Sequence, residues 1–126
     1  MAASPEKIRE VIEQYVARVA TGTTDEIMEL YAEGATVEDP VGTDVRTTVD
    51  SIREFYTMLT GLGYRTATLG IVKIAGGGQA AFSFELTVKA EGMTYTVAPI
   101  DVMTFDDDGR ITSMRAFWGD TDMVVS

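Results

Sequence analysis

Residues Met93–Phe105 read MTYTVAPIDVMTF. Alternate residues of a strand share a face, so a strand here sets Met93, Tyr95, Val97, Pro99, Asp101, Met103 and Phe105 on one side. One carboxyl group then stands in a row of apolar side chains. A buried carboxylate without a partner is costly, so such a group meets a donor or stays protonated and becomes a donor itself. Two other fates are open to Asp101: it ends the strand, or a bulge forced by Pro99 turns it outward to water.

The flanking sequence supplies the strands for a sheet. Ala80 to Lys89 alternates, with Phe82, Phe84, Leu86 and Val88 inward and Ser83, Glu85, Thr87 and Lys89 outward. Glu91-Gly92 turns it into the Met93 stretch, and Asp107 to Gly109 turns that into a last strand, Arg110 to Trp118. Upstream, Tyr64 to Ile74 is a strand broken at Gly70 and joined to the next through the glycine run Gly76 to Gly78.

The first half of the chain is helical. Ser4-Pro5 is a helix start followed by acidic Glu6, and Ile8, Val11, Ile12, Tyr15, Val16 and Val19 recur at the spacing of one helix face. Gly22 ends that helix, and Thr23 with Glu26 has capping-box spacing for a short second one carrying Ile27, Leu30 and Tyr31 and stopping at Gly34. Ala35 to Pro40 reads as a short strand with Ala35, Val37 and Asp39 on its apolar side, and Val41 to Val49 as a polar connection. Asp50 then caps a third helix whose buried face is Ile52, Phe55, Tyr56 and Leu59. The expectation is an α+β fold in a single domain, residues 1–126, with three N-terminal helices packed on one face of a curved antiparallel sheet.

Composition narrows the chemistry. The 126 residues include no cysteine, so there is no disulfide or thiol nucleophile, and no histidine, so histidine triads and histidine-bound metals are excluded. A net charge of -10 opposes nucleic acid and anionic membrane surfaces as partners. The N-terminal MAASPEKIRE has neither the basic start nor the apolar core of a signal peptide, so a cytoplasmic location is the default expectation. Acid–base work falls to Asp, Glu, Tyr or the lysines Lys7, Lys73 and Lys89.

Periodicity places five such groups inside: Tyr15, Tyr31 and Tyr56 on helices, Asp39 and Asp101 on strands. A buried phenol needs a hydrogen-bond partner, and five polar groups sharing one interior tend to satisfy one another as a network. Asp39, at a strand end, suits ionisation, whereas Asp101, among Val97, Pro99, Met103 and Phe105, suits the neutral form. Phe82, Phe84, Leu86, Pro99, Met103, Met114, Ala116 and Trp118 either enclose a rigid hydrophobic ligand or fill the core.

Taken in order, Tyr15 in EQYVARV, Tyr31 and Asp39 in ELYAEGATVEDPVG, Tyr56 in IREFYTML, Asp101 in APIDVMTFDDDGRI and Trp118 in MRAFWG resemble the ketosteroid isomerase (steroid delta-isomerase) family along nearly the whole chain. The resemblance implies a conical fold of the nuclear-transport-factor (NTF2-like) type, a homodimer, and no metal or organic cofactor. It implies that Asp39 is the base moving a proton from C4 to C6 of a 3-oxo-Δ5-steroid. Tyr15 and a protonated Asp101, an established feature of the family, would hold the dienolate oxygen, Tyr31 and Tyr56 would support Tyr15, and Phe55 and the apolar residues above would line the substrate site. Pro99 and Phe82 stand where the family varies. Other chemistries share this fold: a non-catalytic carrier of hydrophobic ligands needs the pocket but not Asp39, a polyketide cyclase remains open, and an epoxide hydrolase with an arginine between paired aspartates would need a buried arginine, whereas the arginines here mostly fall on polar faces.

Overall fold

A computed structural model describes residues 2–126. The elements are α1 (Pro5–Thr21), α2 (Thr24–Met28), β1 (Tyr31–Glu38), α3 (Val49–Thr60), β2 (Tyr64–Ala75), β3 (Gln79–Ala90), β4 (Met93–Val97), β5 (Ile100–Phe105), β6 (Ile111–Phe117), a 3-10 turn at Asp120–Asp122, and β7 (Met123–Val125). The α+β class and the order of helices before strands are as the sequence implies. Three helices lie on one curved sheet.

The stretch 93–105 is two strands rather than one. Proline has no N–H for the ladder, and pairing lapses at Ala98 and Pro99, after which β3 carries both pieces: Leu86 opposes Val97, and Phe82 opposes Asp101. Residue numbers across both pairings sum to the same value, so the interruption adds no residue and flips no side chain. Asp101 therefore stays on the inner face, 1% exposed, and neither ends its strand nor turns to water. The outer end of the row does differ from expectation, since Met93 and Tyr95 are exposed at the rim.

Three further boundaries move. α2 is a single turn ending at Met28, so Tyr31 opens β1 instead of lying on a helix. The reason is tertiary: the Leu30 carbonyl accepts from the Ile111 amide at 2.9 Å, which starts a parallel pairing of β1 with β6. Gly34, at φ +78, lies between Tyr31 and Thr36, where the register of that pairing shifts. The sheet is thus mixed rather than purely antiparallel, with seven strands in place of the five legible from the sequence; β7 is three residues long and pairs with β4. For α3 the cap is Thr48, whose hydroxyl accepts from the Ser51 amide while the Ser51 hydroxyl accepts from the Thr48 amide, and Asp50 sits in the first turn.

The α1 stripe is buried as its spacing requires, from Ile8 to Val19, against the concave side of the sheet. Burying an apolar side chain of this size contributes roughly 1.5–3 kcal/mol. β2 bends where its register shifts between Leu69 and Val72, and there a Cβ on Gly70 would stand 2.4 Å from Ser83 Oγ. Ser83 Oγ accepts from the Ile71 amide released by the bend.

One arginine departs from the expected polar placement. Arg65 is buried, and its guanidinium donates to the carbonyls of Val19, Gly22, Thr60 and Gly63, where α1 and α3 end. Those carbonyls are the unsatisfied, partly negative ends of helices, so the cation is neutralised by backbone dipoles.

Candidate active site

α1, β1 and α3 bring three phenols together. Tyr15 and Tyr56 hydroxyl oxygens are 2.9 Å apart, and those of Tyr31 and Tyr56 are 2.5 Å apart. Rings reinforce the chain: Tyr15 meets Tyr56 edge-on at 6.3 Å, and Phe55 packs edge-on against Tyr56 at 4.9 Å. Burial raises the pKa of each phenol well above its ordinary value, so all three are neutral at physiological pH. Donation running from Tyr31 to Tyr56 to Tyr15 leaves the Tyr15 proton for an acceptor outside the chain.

Asp101, on β5, faces the same interior. Its Oδ1 is the buried side-chain oxygen or nitrogen that lacks a hydrogen-bond partner among the described residues. Burial, and secondly the charge of Asp39, push its pKa well above the usual carboxylate range. A buried polar atom left unpaired costs about 1–3 kcal/mol. A protonated carboxyl there is a donor with nothing to donate to.

Asp39 follows β1 and is held from the neighbouring strand. The Trp118 indole N–H, just beyond β6, donates to Asp39 Oδ1 at 2.8 Å. The parallel pairing of Glu38 with Arg115 and the bond from the Val41 amide to the Ala116 carbonyl, 2.8 Å, set this approach. Burial raises the Asp39 pKa to about 6, against lowering by the Trp118 bond and by the Arg46 charge. Asp39 is also within electrostatic range of Tyr15, Tyr31, Tyr56 and Asp101. All five polar groups singled out in the sequence therefore share one interior.

The apolar residues divide. Phe82, Phe84, Leu86, Pro99, Met103, Met114 and Ala116 are buried on the inner face of β3, β5, β6 and the β4–β5 break. Phe82 meets Tyr15 edge-on at 6.3 Å and pairs across the ladder with Asp101, so it backs both donors. Trp118 and Phe55 are half-buried. Trp118 does more than line a wall, since it bonds the carboxylate. Its sequence signal was the need of a half-buried indole for an acceptor, but only the parallel β1–β6 pairing reveals which acceptor.

The segment after Asp39, read from sequence as a polar connection, forms one wall of a cleft of about 570 Å³ that includes Asp39, Thr43, Arg46, Thr47 and Ser51. Glu38 braces its start by accepting from the Gly42 amide at 3.1 Å and from Arg115 Nε at 3.0 Å, and these bonds hold its carboxyl below the usual range. Among the described residues no group of acidic side chains is placed to hold a metal ion. Among the described residues no helix is long and apolar enough to cross a membrane.

Comparison with known proteins places these features in a family. The family model of the SnoaL-like domain matches residues 12–114, which contain all five polar groups. A steroid Delta-isomerase of Nocardioides simplex is 48% identical over 120 residues, spanning 95% of this chain and 96% of the relative. The epoxide hydrolase LasB of Streptomyces lasalocidi is 31% identical across 94% of this chain, which spans about half of LasB (49%). Among solved structures, the epoxide hydrolase/cyclase-like enzyme SalBIII, of pyran ring formation in the polyether salinomycin, superposes with a TM-score of 0.88 at 31% identity, covering 96% of this chain and 97% of that one. The chain thus has the SnoaL-like, NTF2-like fold, and with near-complete coverage at 48% identity it belongs to the steroid delta-isomerase family.

Proposed function

We propose that this protein is a steroid Δ5-Δ4 isomerase that moves a double bond into conjugation with a 3-ketone using only its own side chains. The ionised Asp39 removes the C4 proton, the electron pair passes through C3 to the carbonyl oxygen, and the resulting dienolate accepts hydrogen bonds from Tyr15 and protonated Asp101. Asp39 then returns the proton to C6, and the C5=C6 bond becomes C4=C5. Donors fixed in a dry site stabilise the charge on the enolate more than they stabilise the ketone, which is the requirement for acceleration. Trp118 occupies one oxygen of Asp39 and leaves the other to carry the proton. Supporting roles fall to Tyr31 and Tyr56, which orient Tyr15, and to Phe55, Phe82, Phe84, Leu86, Pro99, Met103, Met114 and Ala116 as apolar contacts of a neutral substrate. The observation that carries this reading is the unpartnered, buried Oδ1 of Asp101 in the interior that Tyr15 and Asp39 share.

Conjugated-enone absorbance after addition of 5-androstene-3,17-dione tests it. Because Asp39 must be ionised and its pKa lies at about 6, kcat/KM should fall roughly tenfold per pH unit below that value. Burial raises Tyr15 above its already high ordinary value, so its hydroxyl remains a donor at pH 8. A flat absorbance trace at high enzyme concentration would overturn the assignment.

Epoxide opening, the chemistry in the names of LasB and SalBIII, is the competing reading within the fold. An arginine bridging two aspartates does not support it here: Arg65 is committed to backbone carbonyls, and Arg46 makes no hydrogen bond to Asp39. The same proposal takes the protein as a homodimer. Ile100 and Phe117, cross-strand partners on the outer face, are exposed together, with Val124 of β7 exposed on the same face, an apolar surface suited to a second copy. Light scattering should return twice the 13.7 kDa chain mass; a monomer at micromolar concentration would refute the dimer and leave the chemistry standing.

A further inference from the structure

Arg46 belongs to the segment that links β1 to α3, yet it is held more firmly than a connecting residue needs to be. Its amide donates to the Val37 carbonyl at 2.7 Å and its carbonyl accepts from the Val37 amide at 3.0 Å, which pins it two residues ahead of Asp39 on β1. Its Nη1 donates to the Ser51 carbonyl in the first turn of α3 at 2.7 Å and lies 3.5 Å from Glu54 Oε1. Its guanidinium carbon stands 5.4 Å from the centre of the Phe55 ring. Backbone, helix and aromatic ring thus fix one cation in the wall of the cleft that Asp39 also lines.

The geometry points to Arg46 as a positioning residue for the base: its anchored guanidinium favours the charged form of Asp39 across the cleft without taking either carboxylate oxygen. This rests on the assignment of Asp39 as base. The groups facing Asp39 make the need for such a cation plain. From α1 comes Tyr15, from β1 Tyr31 and the adjacent Glu38, from α3 Tyr56, from β5 Asp101, from beyond β6 Trp118, and from the cleft wall Asp44. These are neutral or acidic. Arg115, the other cation nearby, is paired with Glu38 at 3.0 Å. Burial disfavours the ionised base, and the Arg46 charge is one of two influences acting against that, the other being the Trp118 bond. A direct ion pair would lower the basicity further and occupy an oxygen the proton needs. A cation acting through space lowers the basicity less and leaves that oxygen free.

The test is a carboxyl 13C NMR titration of Asp39 in the wild type, Arg46→Met and Arg46→Lys, paired with the pH dependence of kcat/KM for 5-androstene-3,17-dione. Arg46→Met should move the Asp39 midpoint and the acid limb upward together by roughly one unit, so that activity falls about tenfold at low pH and converges with wild type at high pH. Arg46→Lys, which keeps the charge, should leave both within a few tenths of a unit of wild type. A midpoint in Arg46→Met equal to the wild-type value would overturn the inference whatever happens to kcat, as would a shift in Arg46→Lys as large as in Arg46→Met. The titration needs no turnover, so an inactive wild type would count against the isomerase reading alone, while the midpoint still decides the role of Arg46.

Discussion

Asp39→Asn is expected to abolish most isomerase activity and, at the same time, to make the protein more stable at neutral pH. The first effect follows from losing the proposed base. A positioned base contributes roughly a hundred- to ten-thousandfold, and the amide cannot accept the C4 proton, so kcat should fall by about that factor while steroid binding persists. The second effect follows from burial. The Asp39 pKa rises from 3.8 to about 6 on folding, so the folded state holds its proton more tightly than the unfolded state. Stability from this group is fully present below about pH 4, is lost as pH climbs through about 6, and at pH 7 the native protein bears the whole penalty of the ionised form. The penalty is at most about 3 kcal/mol, and asparagine removes it while still accepting from the Trp118 indole. Denaturant melts of the two proteins at pH 7 and pH 4 should therefore show a gap that closes at the lower pH. No turnover in either protein, with steroid binding unchanged by the substitution, would favour a hydrophobic-ligand carrier, which has no use for the carboxylate.

Asp101→Leu tests the opposite ionisation state. If the buried carboxyl serves as a neutral donor, its removal should lower kcat about a hundred- to a thousandfold, the usual effect of deleting one donor to a developing oxyanion. Folding stability should hold or rise by roughly 1–3 kcal/mol, because an unpaired buried oxygen disappears from an interior of Phe82, Met103 and Met114. Asp101→Asn supplies the control. Its amide N–H can replace the carboxyl O–H, so the loss should be much smaller and constant from pH 6 to pH 9. An Asp101→Asn loss that appears only as pH rises, where the native carboxyl ionises, would mean that this carboxyl works as an anion, and the donor role would be wrong. Stopped absorbance assays at saturating substrate give both numbers.

These outcomes depend on a site whose parts were unequally legible in the chain. The α1 stripe could be read directly because six apolar positions repeat with the helix period, and Tyr15 falls on it by spacing alone. Asp101 could be read because the strand period carries through Pro99: the break removes hydrogen bonds but inserts no residue, so parity survives. Tyr31 was legible as buried but not as a strand residue. A five-residue helix and the start of a strand have nearly the same local preferences, and the Ile111 amide, 80 positions away, decides between them. β7 lay below notice because three residues carry no periodicity.

What the sequence by itself determined was the class of the fold, the buried faces of α1 and α3, and the identity of the five polar groups within, because hydrophobic period is a local property of the chain. Tertiary structure alone decided that Trp118 reaches Asp39, that Arg46 stands beside the same carboxylate, and that Asp101 keeps an oxygen without a protein partner. The first two depend on the parallel pairing of β1 with β6 and the docking of the 41–48 segment, and the third on the packing of β5 between β3 and β6, contacts between residues far apart in sequence whose geometry no local pattern encodes.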